Sequence, residues 1–237
     1  MPYNRFYIHA TLKEKQEILL QGEELHHLKV CRIRIGESVE IINGKNVLAQ
    51  GRLTALHPQH ATLSIQRVET KPPPAQVILA QGLAHMNHLE WIIEKGTELG
   101  VTSFWLFPGK LSDKDTLSEN QKTRLHHLML SAVKQCGRLD LPELEFKPPL
   151  KEWAPLEGTL IFGDPAPTAP FLWKALLPTL KLPVILFIGP EAGLDKSEVA
   201  FFEDTLHARG VRLHPHILRT ETASLVGLAL IQSVLSS

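Results

Sequence analysis

Three short stretches in the last third of the chain combine residue types that could bind and activate a small molecule. They are FGDPAP (162–167), GPEAGL (189–194) and LHPHILRTET (213–222). In GPEAGL the glycines allow close backbone approach and positive φ. Glu191 adds a charge that a turn does not need, suited to a ribose hydroxyl or a protonated amine. Asp195-Lys196-Ser197-Glu198, just after it, has the spacing of a helix cap with an acid at the third helical position. In LRTET, Thr220 or Thr222 can cap a final helix, and Glu221 suits the positive end of its dipole. Arg219 fits less well, because a cation there opposes the dipole by ~0.3–1 kcal/mol. Holding an anion or a carboxylate would offset that cost. GPEAGL and LRTET each also read as a plain capped helix start.

The elements that must position these loops follow from periodicity. QVILAQG (76–82), SFWLF (103–107), TLIFGD (159–164) and PVILFIG (183–189) are apolar runs of strand length. Helical spacing predicts helices over 88–100, 120–137 and 196–210, with a last one from about Thr222 to Leu235. Unbroken apolar strands alternating with helices imply an α/β fold with a parallel sheet covered on both faces. Sites in such sheets form where strands end at their C-terminal edge. KPPPAQ (71–76) breaks the pattern, since three prolines favour a stiff extended linker. Before it the period is two: SVEII (38–42), Asn43-Gly44 as a hairpin turn, VLAQGRLTAL (47–56) and ATLSIQRV (61–68), with one short helix at 23–30. This predicts a small β-barrel over 1–71, a linker over 72–75 and a parallel α/β domain over 76–237.

Composition narrows the function. The chain has 237 residues, 43% hydrophobic and 21% charged, with no net charge. No apolar run approaches the ~20 residues of a membrane span, and the start does not read as a signal peptide. Two cysteines far apart point to a reducing compartment, and the expectation is a cytoplasmic protein. Residues 1–71 hold ten Lys and Arg against seven Asp and Glu, a net of +3. A mildly basic first part suits a nucleic-acid contact. Phosphate-loop, dinucleotide and zinc-ligand spacings are missing, so no metal is expected. His26-His27 and His126-His127 read as helix-surface pairs.

Taken in order, these stretches resemble the RsmE family, bacterial methyltransferases of the knotted SPOUT class that modify N3 of a uridine in 16S ribosomal RNA. RFYI (5–8) and HHLKVCRIRIGESVEIING (26–44) resemble its PUA-like RNA-binding domain. LEWIIEKGTELGV (89–101), QCGRLDLPEL (135–144), FIGPEAGLDKSEV (187–199) and ILRTETASL (217–225) resemble its catalytic domain. The resemblance implies a SPOUT-type parallel sheet with a C-terminal trefoil knot, S-adenosylmethionine as cofactor, a homodimer, and the small ribosomal subunit as partner. It implies cofactor contacts from Phe162, Gly163, Ile188, Gly189, Pro190, Glu191, Gly193, Leu213, Leu218, Arg219, Thr222 and Ala223. Arg219, Glu221 and Glu191 become the candidate catalytic groups: Arg219 to stabilise an anionic uracil oxygen, an acid to orient it or take the proton. Arg5, Lys29, Arg32, Arg34 and Arg138 are the candidate RNA contacts. Ala192, His214, His216 and Lys134 depart from the family pattern. Two alternatives stay open. One is a SPOUT methyltransferase for another RNA or a ribose hydroxyl. The other is a non-catalytic, RNA-binding ribosome-assembly factor.

Overall fold

The computed structural model describes residues 4–176 and 180–236. It divides into two compact units, one up to Pro73 with Leu130–Leu141, the other Pro74–Met129 with Pro142 onward. Residues 130–141, assigned from sequence to the 76–237 domain, thus group with the first unit.

In the first unit, β1 (Arg5–Tyr7), β2 (Glu17–Leu20), β3 (Ser38–Ile42), β4 (Val47–Leu56) and β5 (Ala61–Thr70) form one sheet in the order β1-β3-β4-β5-β2. Alternation drives it: Ala61, Leu63 and Ile65 are buried along β5, as are Ala49 and Leu53 along β4. One apolar core takes residues from all five strands and from Leu25 and Leu28 of α1 (Gly22–Val30). The β3–β4 connection is longer than a two-residue hairpin. Its backbone pairs with a second partner: Leu141 N–H donates to Gly44 O and Asn46 N–H to Leu139 O. That pairing draws QCGRLDL into this unit.

In the second unit, β6 (Val77–Gly82), β7 (Ser103–Phe107), β8 (Glu143–Phe146), β9 (Thr159–Gly163), β10 (Val184–Ile188) and β11 (Arg209–Val211) form a parallel sheet ordered β11-β9-β10-β6-β7-β8. Every residue of β6 and of β10 is buried, as continuous apolar strands require. One face packs Phe162, Phe187 and Phe202 into an aromatic cluster. On the other face α2 (Met86–Glu98) and α6 (Thr220–Leu235) pack together, and α6 also meets β10 and β6. Gly227 makes that approach possible, since a Cβ there would lie 2.5 Å from Leu186 Cδ2. Helix α3 (Glu119–Cys136) follows β7, and the short α4 (Leu172–Leu176) follows β9.

The expected helix over 196–210 is shorter. Helix α5 (Lys196–Ala200) widens to π geometry over Phe201–Thr205 and stops. The wider turn seats Phe202 between Phe162 and Phe187, at centroid distances of 5.4 and 4.7 Å. His207 then takes φ 52°, and the chain turns into the edge strand β11.

Candidate active site

The C-terminal ends of β9, β10 and β11 lie side by side because the three strands are neighbours in the sheet. Their following loops wall a cavity of about 390 Å³, within the range of small-molecule sites. The β10 loop is tightly wound: Pro190 O accepts from Gly193 N–H at 2.9 Å, with Gly193 at φ 83°. A Cβ on Gly189 would lie 2.8 Å from the Gly193 carbonyl carbon. The loop closes on a complete capping box. Asp195 Oδ1 accepts from Ser197 N–H at 2.9 Å, and Glu198 returns to Asp195 N–H at 2.8 Å.

Of the expected cofactor contacts, Phe162, Gly163, Ile188, Gly189, Pro190, Glu191, Gly193, Leu213, Leu218 and Ala223 line this cavity, and Arg219 and Thr222 do not. Arg219 is the exposed N-cap of α6, at φ −65°, ψ 157°, with no side-chain cap bond. Neither threonine caps the helix. Thr220 is its first residue and its hydroxyl turns inward, donating to Gly189 O at 2.7 Å. Thr222 is exposed. Glu221 lies outside the lining, and its Oε2 is shielded with no hydrogen-bond partner among the described residues.

Glu191 is held from outside its own loop. Its Oε1 accepts from His85 N–H at 2.8 Å and from His88 Nδ1 at 2.6 Å, so the start of α2 orients a carboxylate of the cavity wall. Burial pushes the Glu191 pKa up, but the hydrogen bonds from His85 and His88 outweigh it and carry it below the ordinary value. The group stays ionised near neutral pH and accepts a proton poorly. His85 and His88 escaped sequence reading because isolated histidines in a helix start carry no local signal.

His214 and His216 both line the cavity, their rings 5.3 Å apart, with His216 N–H donating to His214 Nδ1 at 3.2 Å. Asp164, Ile217 and Thr220 also line it and were not among the expected contacts. Asp164 had a signal, since it sits in FGDPAP.

Two of the expected RNA contacts are structural instead. Arg5 is 6% exposed; its guanidinium grips Glu40 Oε2 at 2.6 and 2.9 Å and donates to Arg138 O. Arg138 is itself largely buried against Asp140. Lys29, Arg32 and Arg34 are exposed at and beyond the end of α1. Lys134 pairs with Glu24 at 2.7 Å. Among the described residues, no group of three or more His, Cys, Asp or Glu is placed to hold a metal ion. No described helix is long and apolar enough to cross a membrane.

Comparison with known proteins places these features. Residues 20–66 match the family model described as RNA methyltransferase PUA domain, and residues 71–232 match the RNA methyltransferase domain. The ribosomal RNA small subunit methyltransferase E of Bacillus subtilis is 28% identical, covering 96% of this chain and 95% of its own. That of Mycobacterium tuberculosis is 27% identical, covering 94% and 88%. The crystal structure of ribosomal RNA small subunit methyltransferase E from Neisseria gonorrhoeae bound to S-adenosyl methionine superposes with a TM-score of 0.86. Its identity is 26%, over 97% of each chain. A PUA-like β domain ahead of a SPOUT-type parallel α/β sheet, expected from sequence, is thus the fold observed. Because the matched catalytic span contains all three loops of the cavity, the chain belongs to the RNA methyltransferase family.

Proposed function

We propose that this chain transfers a methyl group from S-adenosylmethionine to N3 of a uridine in the 16S RNA of the small ribosomal subunit. The cavity at the ends of β9, β10 and β11 carries this reading. Its residues fit the cofactor: Phe162, Ile188, Leu213 and Leu218 offer an apolar wall for a flat ring system, and Glu191 offers an ionised carboxylate for hydroxyls or a cationic group. When bound, the sulfonium supplies an electrophilic methyl. The N–C bond forms as the S–CH3 bond breaks and its electron pair returns to sulfur, leaving the neutral thioether. The uracil N3–H must be lost in the process, so a proton acceptor and an anion-stabilising group are needed. Arg219, exposed and one residue from the cavity-lining Thr220, serves the anionic uracil oxygen. Glu191, held ionised by α2, orients. Glu221, with an oxygen free of hydrogen-bond partners among the described residues, is assigned the proton-accepting role.

The proposal extends to architecture and setting. Residues 1–71, grouped with 130–141, act as the RNA-docking module, with Lys29, Arg32 and Arg34 on phosphates, and the remainder of 76–237 as the catalytic module. The active form is a cytoplasmic homodimer. Leu225, Val226 and Leu230 of α6 support this, as apolar side chains left partly exposed in a single chain. The trefoil knot belongs to the same reading, supported by the return of α6 after β11 onto β6 and β10. The test is labelled methyl transfer to small subunits lacking the modification, with the base mapped. Label on N3 of one 16S uridine is expected. Cofactor binding with label on another base or a ribose would overturn the target. No thermal shift at millimolar S-adenosylmethionine would overturn the enzyme reading.

A further inference from the structure

Gln81 is the polar exception in the buried strand β6, and it is 0% exposed. A side-chain amide taken out of water costs about 1–3 kcal/mol for each group left unsatisfied. Here each group has a partner. Nε2 donates among Gly189 O at 3.1 Å, Thr220 Oγ1 at 2.9 Å and Gly82 O at 3.0 Å. Oε1 accepts from Ser224 Oγ at 2.6 Å. Thr220 in turn donates its own proton to Gly189 O.

Gly189 opens the β10 loop and Thr220 opens α6. Both line the cavity, and Gln81 does not. One side chain on a third strand therefore joins two cavity walls from behind. Those walls belong to segments far apart in sequence; one carries Glu191 and the other carries Thr220 and Ala223, with Arg219 and Glu221 as chain neighbours just outside the lining. We propose that Gln81 is a positioning residue of this site: it sets the spacing between the Gly189–Glu191 wall and the start of α6. This rests on the methyltransferase reading.

Replacing Gln81 with leucine preserves volume and apolar packing but removes both strut bonds. The direct Thr220–Gly189 bond and the Ser224–Thr220 carbonyl bond remain, so the walls stay folded but lose their common anchor. Replacing it with glutamate puts an acceptor where Nε2 donated to Gly189 O. The experiment measures S-adenosylmethionine affinity by calorimetry, kcat and KM for methyl transfer, and thermal unfolding on full-length protein. At a temperature where all variants are folded, Gln81→Leu should weaken cofactor affinity about 10-fold and lower kcat/KM by about 10²-fold. Gln81→Glu should lose more. A merely structural role would lower the unfolding temperature and leave Kd and kcat unchanged in the folded protein, and that result would overturn the proposal. If Gln81→Leu does not fold, Ser224→Ala, which deletes the bond to Oε1 together with the intrahelical bond to the Thr220 carbonyl, decides. A several-fold loss of affinity supports the strut, and wild-type constants overturn it. A wild-type protein that neither binds S-adenosylmethionine nor transfers methyl would instead overturn the methyltransferase reading beneath it.

Discussion

Gly82 ends β6 directly beneath the cavity wall, and adding one methyl group there tests how rigid that wall must be. In Gly82→Ala the new Cβ would lie 2.7 Å from Pro190 Cδ, 2.8 Å from Pro190 N and 3.1 Å from Gly189 C. Ordinary contact begins near 3.4 Å, so the wall must retreat by roughly 0.7 Å, and the atoms in the way are backbone and a proline ring. They cannot swing aside as the end of a long side chain would. Overpacking of this kind costs about 1–3 kcal/mol. In a chain of this size that lowers the unfolding midpoint by about 2–4 °C per kcal/mol. A displacement approaching 1 Å beside reacting groups costs up to about 10²-fold in rate. We therefore expect Gly82→Ala to unfold several degrees early and to lose about 10-fold in S-adenosylmethionine affinity and 10- to 100-fold in kcat/KM. Calorimetric titration and a labelled methyl-transfer assay below the transition measure both. Wild-type affinity and rate in the folded variant would show that the Gly189–Pro190 wall tolerates displacement, and the rigid-wall reasoning would be wrong.

Further predictions concern charge. Glu191→Gln keeps the shape of the wall but removes its charge, and cofactor affinity should fall about 10-fold as a charge-assisted bond is lost; unchanged affinity would place the ligand elsewhere. Because the Glu191 pKa is lowered on folding, its contribution is complete above the ordinary carboxylate value of 4.5 and is lost as pH falls through the folded value. Arg5→Ala should destabilise the first unit by about 2–4 kcal/mol, since it strands Glu40, which keeps about a third of its side chain in water. The salt dependence of RNA binding should not change. Arg32→Ala with Arg34→Ala should do the reverse, reducing the salt slope by about 2 at unchanged unfolding temperature; filter binding across a salt series separates the two cases. Asp195 is held at about 2, first by the Ser197 hydroxyl and N–H and then by Lys110. Its contribution is full above 3.8 and disappears as pH falls through about 2. Asp195→Asn should flatten acid unfolding across that window, read by circular dichroism.

Much of this site is local, and local features are legible in a sequence. Continuous apolar strands announced a parallel sheet, alternation announced the β domain, and glycine with Glu191 marked a loop that walls the cavity. The capping box at Asp195 and Glu198 needs only four consecutive residues, and it formed as spaced. Where partners come from elsewhere in the chain, local reading fell short. Arg5 looked like a surface cation because nothing near it in sequence shows that Glu40 and the Arg138 carbonyl enclose it. Thr220 looked like a cap because its inward partner, Gly189, lies 31 positions away. Periodicity and turn chemistry thus determined the longer strands and helices and which loops follow them, while the short strands β1, β2, β8 and β11 and the short helix α4 left no such signal. Only the tertiary structure decided that Glu191 is gripped by the start of α2, that Arg219 stands outside the cavity lining, and that Gln81 ties the two walls together. The reason is physical: hydrogen bonds joining Gln81 to residues 108 and 139 positions away depend on strand order and helix packing, which leave no periodic trace in the chain.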